Sequence, residues 1–182
     1  MAEPLQADID AAVREFVSLA SGLDFDTQVI PGNDSSPAPN GSYASVLEIT
    51  KIGRGIDSET AIDGPTSTEA TLKHKGARSI IYSVQFYRTG AADYAEGLLS
   101  YAATSPGQFF LAQNNLTWGI AGDVRNLDAI MDSAWEGRRS VDITFKYQSR
   151  RQIDINKIGS VEIDFELSDS TDLEESLEVT DA

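Results

Sequence analysis

The chain has 182 residues, of which 41% are hydrophobic, so it can build one compact domain and is too apolar to be a disordered chain. Its 14 Lys and Arg residues face 29 Asp and Glu residues, and the formal net charge of −15 disfavours binding to nucleic-acid phosphates. Cysteine is absent, which excludes disulfides, thiolate metal sites and cysteine nucleophiles. No apolar run approaches the ~20 residues of a membrane span, and no signal-peptide pattern opens the chain. We therefore expect a protein of the producing cell's cytoplasm, with no membrane contact.

The first forty residues predict a helix followed by a loop. Apolar residues recur at three- and four-residue steps across residues 5–20, the spacing of an amphipathic helix. Gly22 is placed to end this helix as a C-cap. A short extended piece is predicted at 27–30, and the Pro-, Gly- and Asn-rich residues 31–41 predict a loop.

Strand patterns dominate the middle of the chain. Residues 43–52 are rich in β-branched and aromatic side chains and predict a strand. Residues 53–67 contain three glycines and a proline, so we expect a second loop there. Residues 68–75 and 77–88 both alternate, and the pair predicts a hairpin that turns at Gly76.

The next segment predicts helices separated by one strand. Thr89-Gly90 marks the change from strand to helix, and this helix is expected to end near 105–107, because proline cannot continue it. Residues 116–124 carry two glycines and predict a short or bulged strand. Residues 127–135 show a short helical stripe that Gly137 ends.

The last structured part alternates most clearly. Residues 141–147 and 161–167 both place apolar side chains at every second position, and Ile153 and Ile155 extend the pattern between them. They predict a long antiparallel hairpin with a basic shoulder at Arg150 and Arg151. The fold class is therefore α+β: a mostly antiparallel sheet with a long C-terminal hairpin, packed by an N-terminal helix and one or two further helices.

The domain organisation follows from charge. Residues 1–167 are expected to form a single α+β domain. Residues 168–182 hold six acidic residues and no basic residue, which predicts an acidic, flexible C-terminal tail. Either this tail is a solvated end, or it orders on a basic partner surface.

Residues that could carry chemistry are few. His74 is the only histidine and lacks an evident orienting partner, so we expect a structural or exposed side chain. No Gly-x-Ser-x-Gly elbow occurs, and Gly53-Arg54-Gly55 lacks the ending of a phosphate loop. We predict no catalytic residue, no metal and no cofactor, and a protein that is not an enzyme.

Two groups of acidic and two groups of basic residues remain. Asp24 with Asp26, and Asp57 with Glu59, could donate oxygens to Ca²⁺ or Mg²⁺, but no EF-hand spacing surrounds them, so we expect solvated loop carboxylates. The basic groups are expected to match acidic protein surfaces, including those of identical neighbours. One comprises Lys73, His74, Lys75 and Arg78, and the other comprises Arg138, Arg139, Arg150 and Arg151.

Several short motifs together carry a resemblance. Pro31-Gly-Asn-Asp and Pro37-Ala-Pro39 lead into Tyr43-Ala-Ser-Val-Leu-Glu-Ile. Arg78-Ser-Ile-Ile-Tyr-Ser-Val-Gln-Phe-Tyr-Arg-Thr-Gly ends in glycine before a helix. Gly122-Asp-Val-Arg-Asn-Leu precedes Trp135-Glu-Gly-Arg-Arg-Ser-Val-Asp-Ile-Thr-Phe-Lys-Tyr. Over residues 5–167 this order resembles the tail and neck terminator (tail completion) proteins of long-tailed bacteriophages.

The resemblance implies a structural role in the virion. Such proteins form a homohexameric ring that caps the tail tube at the tail–neck junction and docks the head connector and other neck proteins; in contractile tails the ring also meets the sheath protein. The ring would assemble in the host cytoplasm, and DNA would pass through its lumen without specific binding. We further hypothesise that the acidic groups line that lumen.

The expected interface residues are Arg138, Arg139, Arg150, Arg151 and Tyr43, with the 139–167 hairpin and the loops at 31–42 and 53–67 as further candidates. Two alternatives stay open. One is another phage ring component, such as a tail tube or head-completion protein. The other is a hydrolase whose carboxylates come from distant loops.

Overall fold

The structure, a computed structural model, describes residues 6–33, 35, 37–64, 69–131 and 134–156. Within those ranges, no helix has the length and apolar character that crossing a membrane would demand. The elements, in chain order, are α1 (Gln6–Ser21), β1 (Val29–Pro31), β2 (Tyr43–Asp63), β3 (Glu69–Tyr87), α2 (Ala91–Ala102), α3 (Ser105–Gln113), β4 (Leu116–Ala121), β5 (Arg125–Asn126), β6 (Ala129–Met131), β7 (Ala134–Glu136) and β8 (Arg138–Asn156).

Helix α1 confirms the N-terminal prediction. Its apolar stripe is buried, and Val13, Phe16 and Val17 have no exposed surface. Gly22 adopts a left-handed conformation with φ 74°. Its N–H donates to the Ser18 carbonyl at 2.8 Å, the C-cap arrangement that glycine favours because it has no Cβ.

The main sheet has the strand order β1-β2-β3-β8-β4, and β5 also pairs with β8. Strand β1 runs parallel to β2, whereas the pairs β2–β3, β3–β8, β4–β8 and β5–β8 are antiparallel. A mostly antiparallel sheet with three helices among the described residues is the predicted α+β class. Strand β8 is the first strand of the predicted C-terminal hairpin. The returning strand at 161–167 and the acidic tail at 168–182 lie outside the described residues.

The core lies between the helices and one face of the sheet. Phe16 of α1 is its centre, with ring centroids 5.4–6.1 Å from four other aromatic rings. Those rings belong to Tyr101, Phe110, Trp118 and Phe145, so a single side chain ties α1 to α2, α3, β4 and β8. Aromatic residues bury the largest apolar areas and so dominate the cohesion of such a core.

The predicted loop at 53–67 is wrong over residues 53–63, and the predicted turn at Gly76 is also wrong. Strand β2 continues to Asp63, and β3 runs unbroken from Glu69 through Gly76. The glycines of β2 mark a bulge rather than a loop, because the register shifts between Arg54 and Ser58 around Gly55, whose φ is 74°.

Two helix predictions also need correction. Helix α2 ends at Ala102, and Pro106 belongs to the first turn of a further helix, α3, where its missing N–H costs nothing. Thr104 caps α3 by accepting the Gly107 N–H at 3.2 Å. The stripe at 127–135 was wrongly assigned to a helix: it forms the hairpin of β6 and β7. The bulged strand at 116–124 is confirmed, since β4 shifts register between Trp118 and Ala121.

Candidate subunit interface

Strands β2, β3 and β8 extend beyond the helices as a three-stranded arm, made of residues 53–63, 69–78 and 148–156. The core residues of β3 begin at Ile80, and of the arm's apolar side chains only Ala70 is buried. About ten residues per strand at ~3.3 Å each give the arm a length of roughly 30 Å. Most side chains of the arm lie outside the core. The cross-strand hydrogen bonds between β2, β3 and β8 are therefore the main contacts that stabilise the arm.

The two faces of the arm differ, because side chains alternate along each strand. The helix-side face continues the face that carries Ile80, Tyr82 and Phe86, against which α1 and α2 pack. In the arm it presents Ala70, Leu72, His74, Gly76 and Arg78 of β3. The opposite face presents Thr71, Lys73, Lys75 and Ala77.

An apolar strip lies on the helix-side face near the tip of the arm. Ala61, Leu72 and Ile153 stand in register across the three strands, and Ala70 pairs with Ile155 in the next row. Ala61 is exposed and Ile153 keeps 38% of its surface exposed, whereas Leu72 and Ile155 are half-buried and Ala70 is buried. The strip continues the core-facing side of the sheet, yet within the described ranges no helix covers it. A strip of this kind favours burial against another protein surface.

An ion-pair cluster separates the apolar strip from the core. Both Arg78 Nη atoms donate to the Asp57 carboxylate, at 2.6 and 2.7 Å, and this guanidinium holds the pKa of Asp57 below its usual range. A Cβ at Gly76 would meet the ends of both of these side chains, so a larger residue there would have to displace the pair. The bulge in β2 turns Asp57 toward Arg78. The sequence did not predict this contact, because it predicted a loop at 53–67 and therefore no strand pairing with β3.

The single histidine lies beside that ion pair. His74 Nδ1 is 3.6 Å from the Glu59 carboxylate, and its buried Nε2 has no hydrogen-bond partner among the described residues. Arg151 stands opposite His74 across β3 and β8. The carboxylates of Asp57 and Glu59, expected above to be solvated, instead face basic side chains. Across the described ranges, no three carboxylate or imidazole groups gather into a possible metal site.

Arg138 and Arg139 bind within their own chain. Arg138 Nε donates to the Gln85 side chain at 3.1 Å. Arg139 forms an ion pair with Asp128. The pKa of Asp128 lies below its usual range, chiefly because the Arg138 backbone N–H donates to the carboxylate, and Arg139 adds to the effect. These two arginines fix the start of β8, so their guanidinium groups are largely committed.

Arg150 and Arg151 lie in the arm, twelve residues further along β8 from Arg138 and therefore about 40 Å away. Both are exposed. Arg150 donates to the Gln148 side chain at 2.9 Å and lies on the opposite face, whereas Arg151 lies on the helix-side face. The structure thus separates the four predicted arginines into two pairs and splits the distal pair between two faces.

Tyr43 is only 8% exposed and forms part of a stack on the opposite face at the base of the sheet. Its ring lies parallel to that of Tyr87, with centroids 4.4 Å apart. The guanidinium of Arg88 covers the Tyr43 ring at 5.3 Å, and that of Arg138 covers the Tyr87 ring at 5.0 Å. Burial raises the pKa of Tyr43, with a further contribution from Tyr87. These contacts of Tyr43 all lie within its own chain.

Exposed apolar side chains also lie at the other end of β8, on the β6–β7 hairpin. Trp135 and Ile130 form a cross-strand pair and are 74% and 63% exposed. Leu127, just before the hairpin, is 41% exposed. The sequence did not predict this surface, because the predicted helix at 127–135 placed the same residues on a buried stripe. Tryptophan is enriched among the residues that dominate the binding energy of protein interfaces.

Comparisons with known proteins add one decisive match. A model of a family described as phage neck terminator protein matches residues 7–169. A chain in a structure titled "Virion of native gene transfer agent (GTA) particle" is 13% identical, over 79% of this chain and 94% of that one, with a TM-score of 0.28. At that TM-score the likeness is too weak to bear on function. No curated protein matches the chain.

Proposed function

The chain belongs to the phage neck terminator protein family and is thus a structural protein of the phage neck, and we propose that it forms the ring that caps the tail tube at the tail–neck junction and docks the head connector. Ring formation, capping and docking need matching surfaces rather than reacting groups. We therefore assign no catalytic residue and no cofactor to this role.

The observation that carries the ring proposal is the apolar strip on the arm. A closed ring needs a head-to-tail contact, in which one surface of each subunit meets a different surface of the next. A protruding arm suits this geometry, because it reaches past its own core to the neighbouring copy. Leu72, Ile153 and Ile155 would be buried against that neighbouring copy, as the rest of the helix-side face is buried against the helices of its own chain. Six copies are the number that the resemblance implies.

A capping ring also needs a surface for the components above and below it. The Trp135–Ile130 pair supplies an aromatic anchor of the kind that dominates protein interfaces. It lies at the end of β8 away from the tip of the arm, so one subunit can contact its ring neighbour and an axial partner at the same time. We assign this surface to the tail tube protein or the head connector; a sheath protein would be a further partner in a contractile tail.

The acidic balance suits a ring around DNA. With a net charge of −15, walls that carry surplus carboxylates would let DNA pass without holding it. The proposal therefore includes no specific nucleic-acid binding, and the ring would assemble in the host cytoplasm before the head joins the tail. A ring imaged with a basic lumen would contradict this part of the proposal.

The test is the assembly state of the purified protein, measured by light scattering and negative-stain microscopy. Closed six-membered rings, alone or on the ends of purified tails, are the expected result. Open filaments would contradict capping and would indicate a tube protein, because a tube subunit stacks without limit. Monomers that also fail to bind the ends of purified tails would overturn the proposal.

A further inference from the structure

The opposite face of the arm is cationic, although the chain as a whole is strongly acidic. By register, Lys73 and Lys75 of β3 share this face with Arg150 of β8, and Lys146 continues it two residues below the arm. Four of the chain's 14 basic residues thus lie along one side of two neighbouring strands. We call these four residues the basic face. Three of them, Lys75, Lys146 and Arg150, are exposed.

The charges of the basic face are not neutralised by the described residues. Lys75 stands directly across from Arg150, and like charges in such positions destabilise a sheet. No carboxylate of the described ranges forms an ion pair with any of the four. The acidic side chain nearest in register, Asp154, accepts a hydrogen bond from the Thr71 hydroxyl at 3.0 Å. The face therefore favours an external group with several negative charges.

We propose that residues 168–182 of the same chain lie along the basic face. This segment holds Asp169, Asp172, Glu174, Glu175, Glu178 and Asp181 and no basic residue. Its charge is opposite to that of the face, and spaced carboxylates can meet several of the cations at once. The contact neutralises the repulsion between Lys75 and Arg150.

The length of the connecting chain allows this docking. Strand β8 ends at Asn156 near the tip of the arm, and Ser168 follows twelve residues later. Twelve residues span at most about 40 Å. The distance from Asn156 back to Lys146 is ten residues of strand, or about 33 Å. A tethered segment also has an effective concentration in the millimolar range, so that weak individual ion pairs suffice. The inference does not depend on ring formation.

The test is carbodiimide cross-linking, which joins carboxylates to lysine amines in direct contact, followed by mass spectrometry. The full-length protein is prepared as an equal mixture of ¹⁴N- and ¹⁵N-labelled copies. We expect cross-links from 168–182 to Lys73, Lys75 and Lys146, and few to Lys51, which lies on the helix-side face. The two peptides of each cross-link should carry the same label. In 1 M NaCl most cross-links should disappear, because the Debye length falls to about 3 Å and charge attraction is screened.

Two adjacent arginines provide a matched pair of variants. Arg150→Gln removes a charge from the basic face and should lower the cross-links to Lys73 and Lys75 about threefold, the range expected for exposed ion pairs. Arg151→Gln removes the same charge one residue away on the other face and should leave them unchanged. Equal cross-linking of Lys51 and Lys75, or equal effects of the two variants, would overturn the docking. Mixed-label cross-links would assign the segment to a neighbouring copy and overturn the intrachain contact.

Discussion

Replacing Tyr43 by alanine tests whether this residue acts within its own chain or between subunits. The sequence predicts an interface residue, and the structure places its ring in the stack with Tyr87. Alanine would remove the ring contact with Tyr87 and the cover that Arg88 provides. The Tyr43 hydroxyl forms no hydrogen bond with the described residues, so Tyr43→Phe is a control that keeps the ring.

The expected loss is large for a single residue. Truncating a buried aromatic side chain costs ~3–5 kcal/mol. Loss of the stacked pair and of the cation–π contact falls within that range, at ~0.5–1.5 and ~0.5–1 kcal/mol. We expect Tyr43→Ala to lower the free energy of unfolding by about 4 kcal/mol and the Tm by roughly 12 °C for a chain of this size. Tyr43→Phe should change it by less than about 0.5 kcal/mol.

The assay is urea unfolding followed by tryptophan fluorescence, at a protein concentration low enough to keep the chain monomeric. A Tyr43–Tyr87 double-mutant cycle should give a coupling of about 1 kcal/mol between the rings. The intrachain assignment would be refuted if Tyr43→Ala changed monomer stability by less than about 1 kcal/mol and still abolished assembly. Tyr43 would then be the interface residue that the sequence predicted.

Three further changes probe other contacts. Gly76→Ala places a Cβ into the Asp57–Arg78 ion pair and should raise amide hydrogen-exchange rates in the arm more than in the core. Equal exchange rates of the arm in the parent protein and in this variant would contradict the close contact. Asp128 has a pKa below its usual value of 3.8, so its contribution to stability is present above that pH and is lost as the pH falls through the lower folded value. Asp128→Asn should therefore flatten the acid limb of the stability curve, and an unchanged slope would refute this. Trp135→Ala should leave unfolding within about 0.5 kcal/mol but weaken binding to purified tails in a pelleting assay; undiminished binding would remove it from the docking surface.

The sequence predicted correctly those helices and strands that have one face buried in the core and the other exposed to solvent. Helix α1 and the first half of β8 each bury one face, so their apolar residues repeat with the period of the element. The arm has no such constraint. Residues 53–63 are exposed on most positions and include two glycines, so their pattern resembled a loop, and only pairing with β3 makes them a strand.

The contacts of the proposed interface residues were predictable only in part, because a sequence does not show which partner a charged group meets. Arg138-Arg139 and Arg150-Arg151 are both adjacent arginines in the sequence. The first pair binds Gln85 and Asp128 of its own chain, whereas the second pair lies in the arm. Trp135 was misplaced for a different reason. Its spacing from nearby apolar residues also fits a helical stripe, and short segments do not separate the two periods.

The central claim is that the apolar strip of the arm closes the ring, and the most direct test is sedimentation velocity on two adjacent single variants. Ile153→Asp puts a charge into the strip, whereas Gln152→Asp puts the same charge on the opposite face. We expect Ile153→Asp to sediment as a monomer whose free energy of unfolding equals that of the dissociated parent chain, because assembly itself adds stability. We expect Gln152→Asp to form the same rings as the parent, in solution or on the ends of purified tails. Rings of normal size from Ile153→Asp would contradict the claim.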